Sequence, residues 1–395
     1  MLPSPAVVTA IDLRWDRPRR VHLVGIGGAG MRSLAKVLLE FGWEVSGSDV
    51  HLEGLDGLTR RGVSIYRGHH ALVMTNDIEV VIFSDAIGPA NVERQRAVEN
   101  NAVVLSYAEF LGHMSRISHT VAIAGTHGKS TTTAMTADIF RAAGHDPTTV
   151  LGATRPSGQP GGRAGNPSRL LVEACEYQRN FLHLNPDVAV LLGFEWDHVD
   201  CYPSPHDVET AFAHFVRNVS PDGLVIAPES CPCAQAARRN GAVRTVTFGL
   251  HDSADWRATQ RGVEQGRYRF DIHRGDRHLT EISLQVAGQH NLMNALAAAT
   301  VAAECGVPAT AIRDGLSTFR GLRRRLELVG NHAGVTLIDD YGHHPREVEV
   351  TLTAVRAMYP NRRLWCIFQP HQGDRTAALL ESFARSLQNT DRLCI

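Results

Sequence analysis

Lysine is almost missing from this sequence. Two lysines, Lys36 and Lys129, stand among 395 residues, and the other 38 basic residues are arginines. A surplus of charge is missing too: 40 Lys plus Arg against 41 Asp plus Glu leaves a formal net charge of −1. That balance excludes attachment to nucleic acid or to an anionic membrane by bulk charge. No uninterrupted apolar run approaches the roughly 18 to 20 residues needed to span a bilayer. The opening MLPSPAVVTAIDLRWDRPRR lacks a basic start followed by an apolar stretch, so no secretion leader is read and a cytoplasmic location is expected. Cysteine is sparse, with seven residues at 175, 201, 231, 233, 305, 366 and 394. The count is odd, and the close pair Cys231 and Cys233 lacks a second Cys or His pair at zinc-finger spacing. Reduced structural thiols are the expectation.

The remaining composition is that of a folded globular protein, with 43% hydrophobic and 21% charged residues. At about 150 residues per domain, the length allows two to three domains. Strands are read at Arg20–Val24, 43–47, 80–83 and 103–105, with helices between them, so a parallel sheet with covered faces is predicted. This first domain is assigned to 1–117. A second, 118–320, opens with the strand 120–124, a glycine-rich loop and a helix. Strands follow at 170–173, 188–192 and 223–227, then a hairpin around Arg274-Gly275-Asp276 and an alanine-rich helix from about Gln289 to Glu304. A third, 321–395, has strands at 335–338 and 363–368, helices at 345–358 and about 376–387, and a last apolar strand. Ending on a half-built βα alternation points to an incomplete third domain.

The strongest local signal is Gly125-Thr126-His127-Gly128-Lys129-Ser130-Thr131 between a strand and a helix. Backbone N–H groups of such a loop point at phosphate oxygens, and the helix N-terminus adds partial positive charge. The lysine neutralises β- and γ-phosphates and the serine hydroxyl ligates Mg²⁺. Ile123 stands where the usual pattern has its first glycine, so the loop is a variant. One of only two lysines sits at the phosphate position, where a guanidinium is a poor substitute for a compact ammonium. Gly25-x-Gly27-x-x-Gly30, with Asp49 about 20 residues on, matches the dinucleotide fingerprint and suits NAD and UDP-sugars alike. Glu173 ends an apolar strand as an acidic Mg²⁺ ligand would, and Asp197-His198 follows another as a metal or phosphate contact. Asp339-Asp340-Tyr341-Gly342-His343-His344-Pro345 gathers two acids and two imidazoles in one strand-to-helix turn.

In this order these segments resemble the Mur ligase family, most closely its alanine-adding branch. Glu173-Ala-Cys-Glu176, Glu195-Trp-Asp-His-Val-Asp200, Gly288-Gln-His-Asn291 with Asn294, Arg324-Arg325 and Phe368-Gln-Pro-His371 complete the match, which covers nearly the whole chain. The resemblance implies an α/β protein of three domains. An N-terminal Rossmann-like domain holds a UDP-sugar, a central P-loop domain binds ATP, and a C-terminal Rossmann-like domain receives an amino acid. It also implies an ATP- and Mg²⁺-dependent ligase of peptidoglycan precursor synthesis, Mn²⁺ substituting for Mg²⁺, that joins UDP-N-acetylmuramate to L-alanine through an acyl phosphate. Carried over by position, Gly25, Gly27, Gly28, Ala29, Gly30, Met31, Asp49 and Ser84 would hold the UDP-sugar. Gly125 through Thr131, His290, Asn291, Asn294, Arg325 and Asp340 would hold ATP. Ser130, Glu173 and His198 would ligate metal, and Tyr341, His343, His371 and Arg375 would surround the amino acid. Lys129, His198, Arg325 and Asp340 would carry the chemistry.

Sister ligases that add later residues use a carbamylated lysine downstream of the Asp-His pair; here no lysine follows Lys129, which fits the alanine branch. Two positions depart from the family pattern. Leu192-Gly193-Phe194-Glu195 replaces Thr-Asn-Ile-Glu, and Gln372 replaces the arginine after Phe-Gln-Pro-His. Other readings stay open: a ligase attaching a preformed peptide in wall recycling, a nicotinamide-dependent oxidoreductase that leaves the Lys129 loop unexplained, and a UDP-sugar-binding protein with lost catalysis.

Overall fold

The computed structural model describes residues 12–241 and 243–395; residues 1–11 of the leader reading lie outside it. The first unit runs β1 (Arg20–Val24), α1 (Ala29–Glu40), β2 (Glu44–Asp49), α2 (Asp56–Thr59), β3 (Ser64–Arg67), β4 (Val80–Phe83), α3 (Val92–Glu99), β5 (Val103–Ser106) and α4 (Tyr107–Ile117). Its sheet is fully parallel in the order β3-β2-β1-β4-β5, a doubly wound arrangement whose strand order reverses between β1 and β4. The crevice at that reversal is where Gly25 to Gly30 emerges. Val21, Leu23 and Val24 are fully buried, which is why this short run forms a central strand rather than an edge.

A nine-stranded sheet follows, built on β6 (His119–Ala124), α5 (Lys129–Ala142), β7 (Pro147–Val150), β8 (Asn166–Glu173), β9 (Val188–Leu191), α6 (Pro205–Arg217), β10 (Leu224–Pro228), α7 (Pro232–Asn240), β11 (Arg244–Gly249), β12 (Trp256–Glu264), β13 (Arg267–Arg274), β14 (Arg277–Ala287), α8 (Gln289–Glu304) and α9 (Ala309–Thr318). Its order is β14-β13-β12-β11-β10-β9-β6-β8-β7, with parallel pairing from β12 to β7. The edge β12–β13–β14 is antiparallel because two-residue connections, Gln265-Gly266 and Gly275-Asp276, leave no room for a crossover. Ala295, Ala297, Ala298, Ala299 and Ala302 of α8 are buried. Small side chains let this helix lie close against the sheet and α5. Cys231 and Cys233 pack in the core at the start of α7.

The last part holds a β15 (Glu327–His332) and β16 (Val335–Asp339) hairpin, α10 (Pro345–Met358), β17 (Trp365–Ile367), α11 (Gly373–Ala378), α12 (Leu380–Ser386) and β18 (Arg392–Cys394), which pairs in parallel with β17. The single helix expected over 376–387 is broken at Leu379, whose φ of −112° and ψ of 19° leave helical geometry. Trp365, Ile367, Leu393 and Ile395 are exposed.

Helix starts are of two kinds, and α10 joins the side-chain-capped ones through His344 and Glu347. Side-chain capping boxes close α4 (Ser106, Glu109) and α6 (Ser204, Asp207), whereas α1, α5 and α8 begin at Gly28, Gly128 and Gly288 with no side-chain cap. Uncapped N–H groups are left for a ligand.

Beneath the first loop, Glu93 is fully buried and accepts from the Ser48 hydroxyl and the His70 N–H (2.9 Å), with His22 Nε2 at 3.6 Å. Burial alone would raise its pKa, but His22, Ser48 and His70 outweigh it and hold the carboxyl at about 2. A depressed carboxylate contributes stability above its unfolded pKa and loses it as pH falls toward the folded value. Glu93→Gln should therefore destabilise the protein by on the order of 3 kcal/mol at neutral pH. Urea titrations of both proteins should show that gap closing between pH 4.5 and pH 2; a gap independent of pH would refute the assignment.

Candidate active site

The phosphate loop leaves β6 at Ala124. Gly125 (φ +140°) and Gly128 (φ +81°) take backbone conformations that disfavour other residues, and a Cβ on Gly128 would collide with the Asn294 amide oxygen. That contact seats the start of α8 against the loop. Lys129 Nζ donates to the carbonyls of Gly125 (2.6 Å) and Thr126 (3.1 Å) and pairs with Glu176 Oε2 at 2.8 Å. Burial pulls the ammonium pKa down, yet the charge of Glu176 outweighs it, so Lys129 titrates above the ordinary lysine value and stays charged.

Ser130 Oγ donates to Glu173 Oε1 at 2.7 Å, while Glu173 Oε2 accepts the Gly152 N–H at 2.8 Å. A hydroxyl and a carboxylate are hard oxygen donors of the kind Mg²⁺ takes, so this pair fits the ion. His198, the third expected ligand, has φ +52°, and its Nε2 lies 3.7 Å from Glu176 Oε1. Burial lowers its pKa, which keeps the imidazole neutral.

Arg375 points toward the Asp197-His198 turn. It is 3% exposed, and its Nε donates to Asp197 Oδ1 at 2.5 Å while a terminal nitrogen meets His198 Nδ1 at 3.3 Å. Its guanidinium thus docks α11 on the Asp197-His198 turn. Tyr341, His343 and His371 do come together, their ring centroids 5.1 to 6.1 Å apart.

A cavity of about 430 Å³ is lined by Thr126 through Thr131, Glu173, Gly193, His290, Asn291, Asn294, Arg325 and Asp340. All the expected ATP residues except Gly125 therefore face one space. A neighbouring cavity of about 1000 Å³ shares His290, Met293, Phe248 and Arg346 with it. His290 Nδ1 is buried without a partner; burial, then Arg325 and Arg346, lower its pKa to about 4, so it is a neutral group free to meet a base edge. Asp340 accepts the N–H groups of Leu326 (2.7 Å) and Gly342 (2.8 Å), which fixes the turn carrying Tyr341. Gly193, at φ +101°, gives its carbonyl to the Thr126 N–H (3.1 Å), and nothing stands within 4 Å of a Cβ there.

At the first sheet, Gly27 N–H (2.7 Å) and His51 N–H (2.9 Å) both donate to Asp49, so the expected ribose acid here closes its own loop. Gly25 (φ +82°) lies against Ser84, and Gly28 N–H donates to the Gly25 carbonyl, while Gly30 abuts Tyr107. Met31 is buried below. The two loops converge: a Cβ on Gly152 would lie 3.7 Å from both the Ala29 Cβ and Glu173 Oε2. Asn180 Nδ2 donates to Asp85 across the same junction at 2.7 Å.

Sequence reasoning left Glu176, Glu195 and Glu347 without roles. Glu176 had a signal, the second carboxylate of Glu-Ala-Cys-Glu; Glu347 sits in the first turn of the helix read over 345–358, but its contact with His127 exists only in the fold.

Among the described residues no helix is long and apolar enough to cross a membrane. Three family descriptions match consecutive parts of the chain: "Mur ligase family, catalytic domain" over 20–119, "Mur ligase middle domain" over 123–302 and "Mur ligase, glutamate ligase domain" over 324–395. The UDP-N-acetylmuramate–L-alanine ligase of Clostridium novyi is 38% identical over 383 residues, covering 96% of this chain and 83% of that protein. The enzyme of the same name from Salinibacter ruber is 39% identical over 382 residues, covering 96% and 80%. Among solved structures, the UDP-N-acetylmuramate-alanine ligase of Thermotoga maritima superimposes with a TM-score of 0.80 at 27% identity, covering 95% of this chain and 84% of that one. A murein peptide ligase from Psychrobacter arcticus gives 0.76 at 26% identity, covering 95% and 84%. With its motifs in order, its sheets and loops in place and relatives close to 40% identical, this chain belongs to the Mur ligase family.

Proposed function

We propose that the protein joins L-alanine to the lactyl carboxylate of UDP-N-acetylmuramate at the expense of ATP. The observation that carries this reading is the junction at Gly152, where the first sheet's glycine loop and Glu173 of the phosphate-loop site meet within van der Waals range. A sugar nucleotide on the first loop would have its free carboxylate beside the terminal phosphate of ATP on the second. The lactyl carboxylate attacks the γ-phosphorus, the bond to ADP breaks, and an acyl phosphate forms. The alanine amine then adds to the acyl carbon, and inorganic phosphate leaves from the tetrahedral intermediate.

Each residue's part follows from its placement. Lys129, released from Glu176, meets charge on the phosphoryl oxygens. Ser130 and Glu173 would hold Mg²⁺, which supplies charge neutralisation at the β- and γ-phosphates. His290, Asn291 and Asn294 face the nucleotide, with Arg325 and Asp340 closing the cavity from the C-terminal side. Tyr341, His343 and His371 form the wall for the amino acid. Enclosure between three units keeps water from the acyl phosphate.

ADP and phosphate should appear only when ATP, Mg²⁺, the UDP-sugar and alanine are all present. Equal release with a tripeptide and none with alanine would favour the recycling ligase, and NAD binding in place of ATP would overturn both.

Gln372 stands at the N-cap position of α11 with no side-chain cap bond, where the family pattern has arginine. An amide recognises a carboxylate less strongly than a bidentate guanidinium. Gln372→Arg should lower the KM for alanine by about tenfold with kcat little changed, as uniform binding does. Steady-state kinetics with alanine varied would check this; an unchanged KM would remove position 372 from the amino-acid site.

A further inference from the structure

A second cluster of donor atoms lies at the edge of the nucleotide cavity, apart from the Ser130–Glu173 pair. His127 of the phosphate loop, Glu195 beyond β9 and His344 at the head of α10 each offer one ligand atom, and the three lie within 4.8 Å of one another. Glu195 Oε2 is 3.6 Å from both His127 Nε2 and His344 Nδ1. Three ligands at about 2.0 to 2.2 Å from a tetrahedral ion stand about 3.3 to 3.6 Å apart, so the Glu195 distances already fit and the two imidazoles would have to draw together.

Two independent observations favour an ion. His127 Nε2 is buried and has no hydrogen-bond partner. Its other nitrogen, Nδ1, meets Glu347 Oε1 at 3.2 Å, the carboxylate–histidine arrangement that orients a ligating imidazole from behind. His344 is 5% exposed, and its Nδ1 accepts the Arg346 N–H at 3.2 Å at the head of α10, so its ring is already ordered and the ion would compete with that cap. Two imidazoles and one carboxylate are the donor set of a zinc site that keeps a position for water.

We propose that His127, Glu195 and His344 bind Zn²⁺ or a similar borderline-soft divalent ion, which clamps the phosphate loop to α10 and inhibits turnover. The binding rests on this geometry alone; the inhibition rests also on the ligase reading. Without the ion, Glu195 and Glu347 outweigh burial and hold a proton on His127, and the ion displaces that proton to solvent.

Co²⁺ titration of the full chain without nucleotide tests the site. One equivalent should produce the intense visible bands of four-coordinate cobalt, and Zn²⁺ should abolish them. Glu195→Gln and His344→Asn, each checked for folding by circular dichroism, should weaken Co²⁺ binding by at least about tenfold. The exposed pair His273 and His278, with ring centroids 5.4 Å apart, is the control, and His273→Asn with His278→Asn should leave the bands intact. Unchanged bands in Glu195→Gln, or loss of the bands in the His273/His278 control, would overturn the proposal. In parallel, one equivalent of Zn²⁺ with excess Mg²⁺ should slow wild-type turnover at least about tenfold and Glu195→Gln, relative to its own zinc-free rate, less than about twofold. Binding without that inhibition overturns the clamp, whereas absence of turnover before zinc is added would count against the ligase reading and leave the cobalt result standing.

Discussion

Lys129→Ala should lower kcat by about a thousandfold, the largest single loss in this protein. Removing one preorganised donor to developing charge costs about a hundred- to a thousandfold elsewhere, and here the donor is a full charge. The same change leaves Glu176, which is 2% exposed, without its cation. Stability should fall by about 1–3 kcal/mol. Lys129→Arg separates the two effects. A guanidinium can answer Glu176 and restore stability, but it is too long and flat for the loop, so turnover should stay low. Denaturant titration beside single-turnover ADP formation reads both quantities. An arginine variant as active as the parent would show that any cation at this position suffices.

Arg375→Ala should produce the second-largest effect, on folding as well as rate. Its guanidinium pairs with Asp197 in a site where both side chains are almost fully buried. Breaking a buried pair from one side leaves an unmatched charge, which costs about 3–5 kcal/mol. The loss should be local, freeing α11 from the Asp197-His198 turn, and kcat should fall by about a hundredfold through misplacement of His198. Adding Asp197→Asn should recover part of the stability, because the unmatched charge is then gone, and should not recover the rate. Stability in the single variant equal to the parent would mean that the contact between Arg375 and Asp197 contributes nothing in solution.

The phosphate loop was legible because its information is local: a strand, two glycines, one lysine and a helix occupy consecutive residues. The same holds for the first glycine loop and for the parallel core of both sheets, where runs such as Val188–Leu191 are uniformly apolar. Contacts between distant residues were not legible. Arg375 and Asp197 are 178 residues apart, and nothing in the neighbourhood of either announces the other. Strand β7 was hidden beside a loop rich in glycine and proline, and β3 is short and mostly exposed, so neither shows a clear period. Asp49 was singled out as the acid ending β2, yet its bonds to Gly27 and His51 depend on how the loop closes.

The central claim is that the UDP-sugar's own carboxylate receives the phosphoryl group before alanine arrives. UDP-N-acetylmuramate labelled with heavy oxygen in its lactyl carboxylate tests this directly, with the released phosphate examined by phosphorus NMR. Transfer of one labelled oxygen into each phosphate is the expected result, since the acyl carbon–oxygen bond breaks when alanine attacks. Phosphate free of label, formed together with the amide product, would contradict the account.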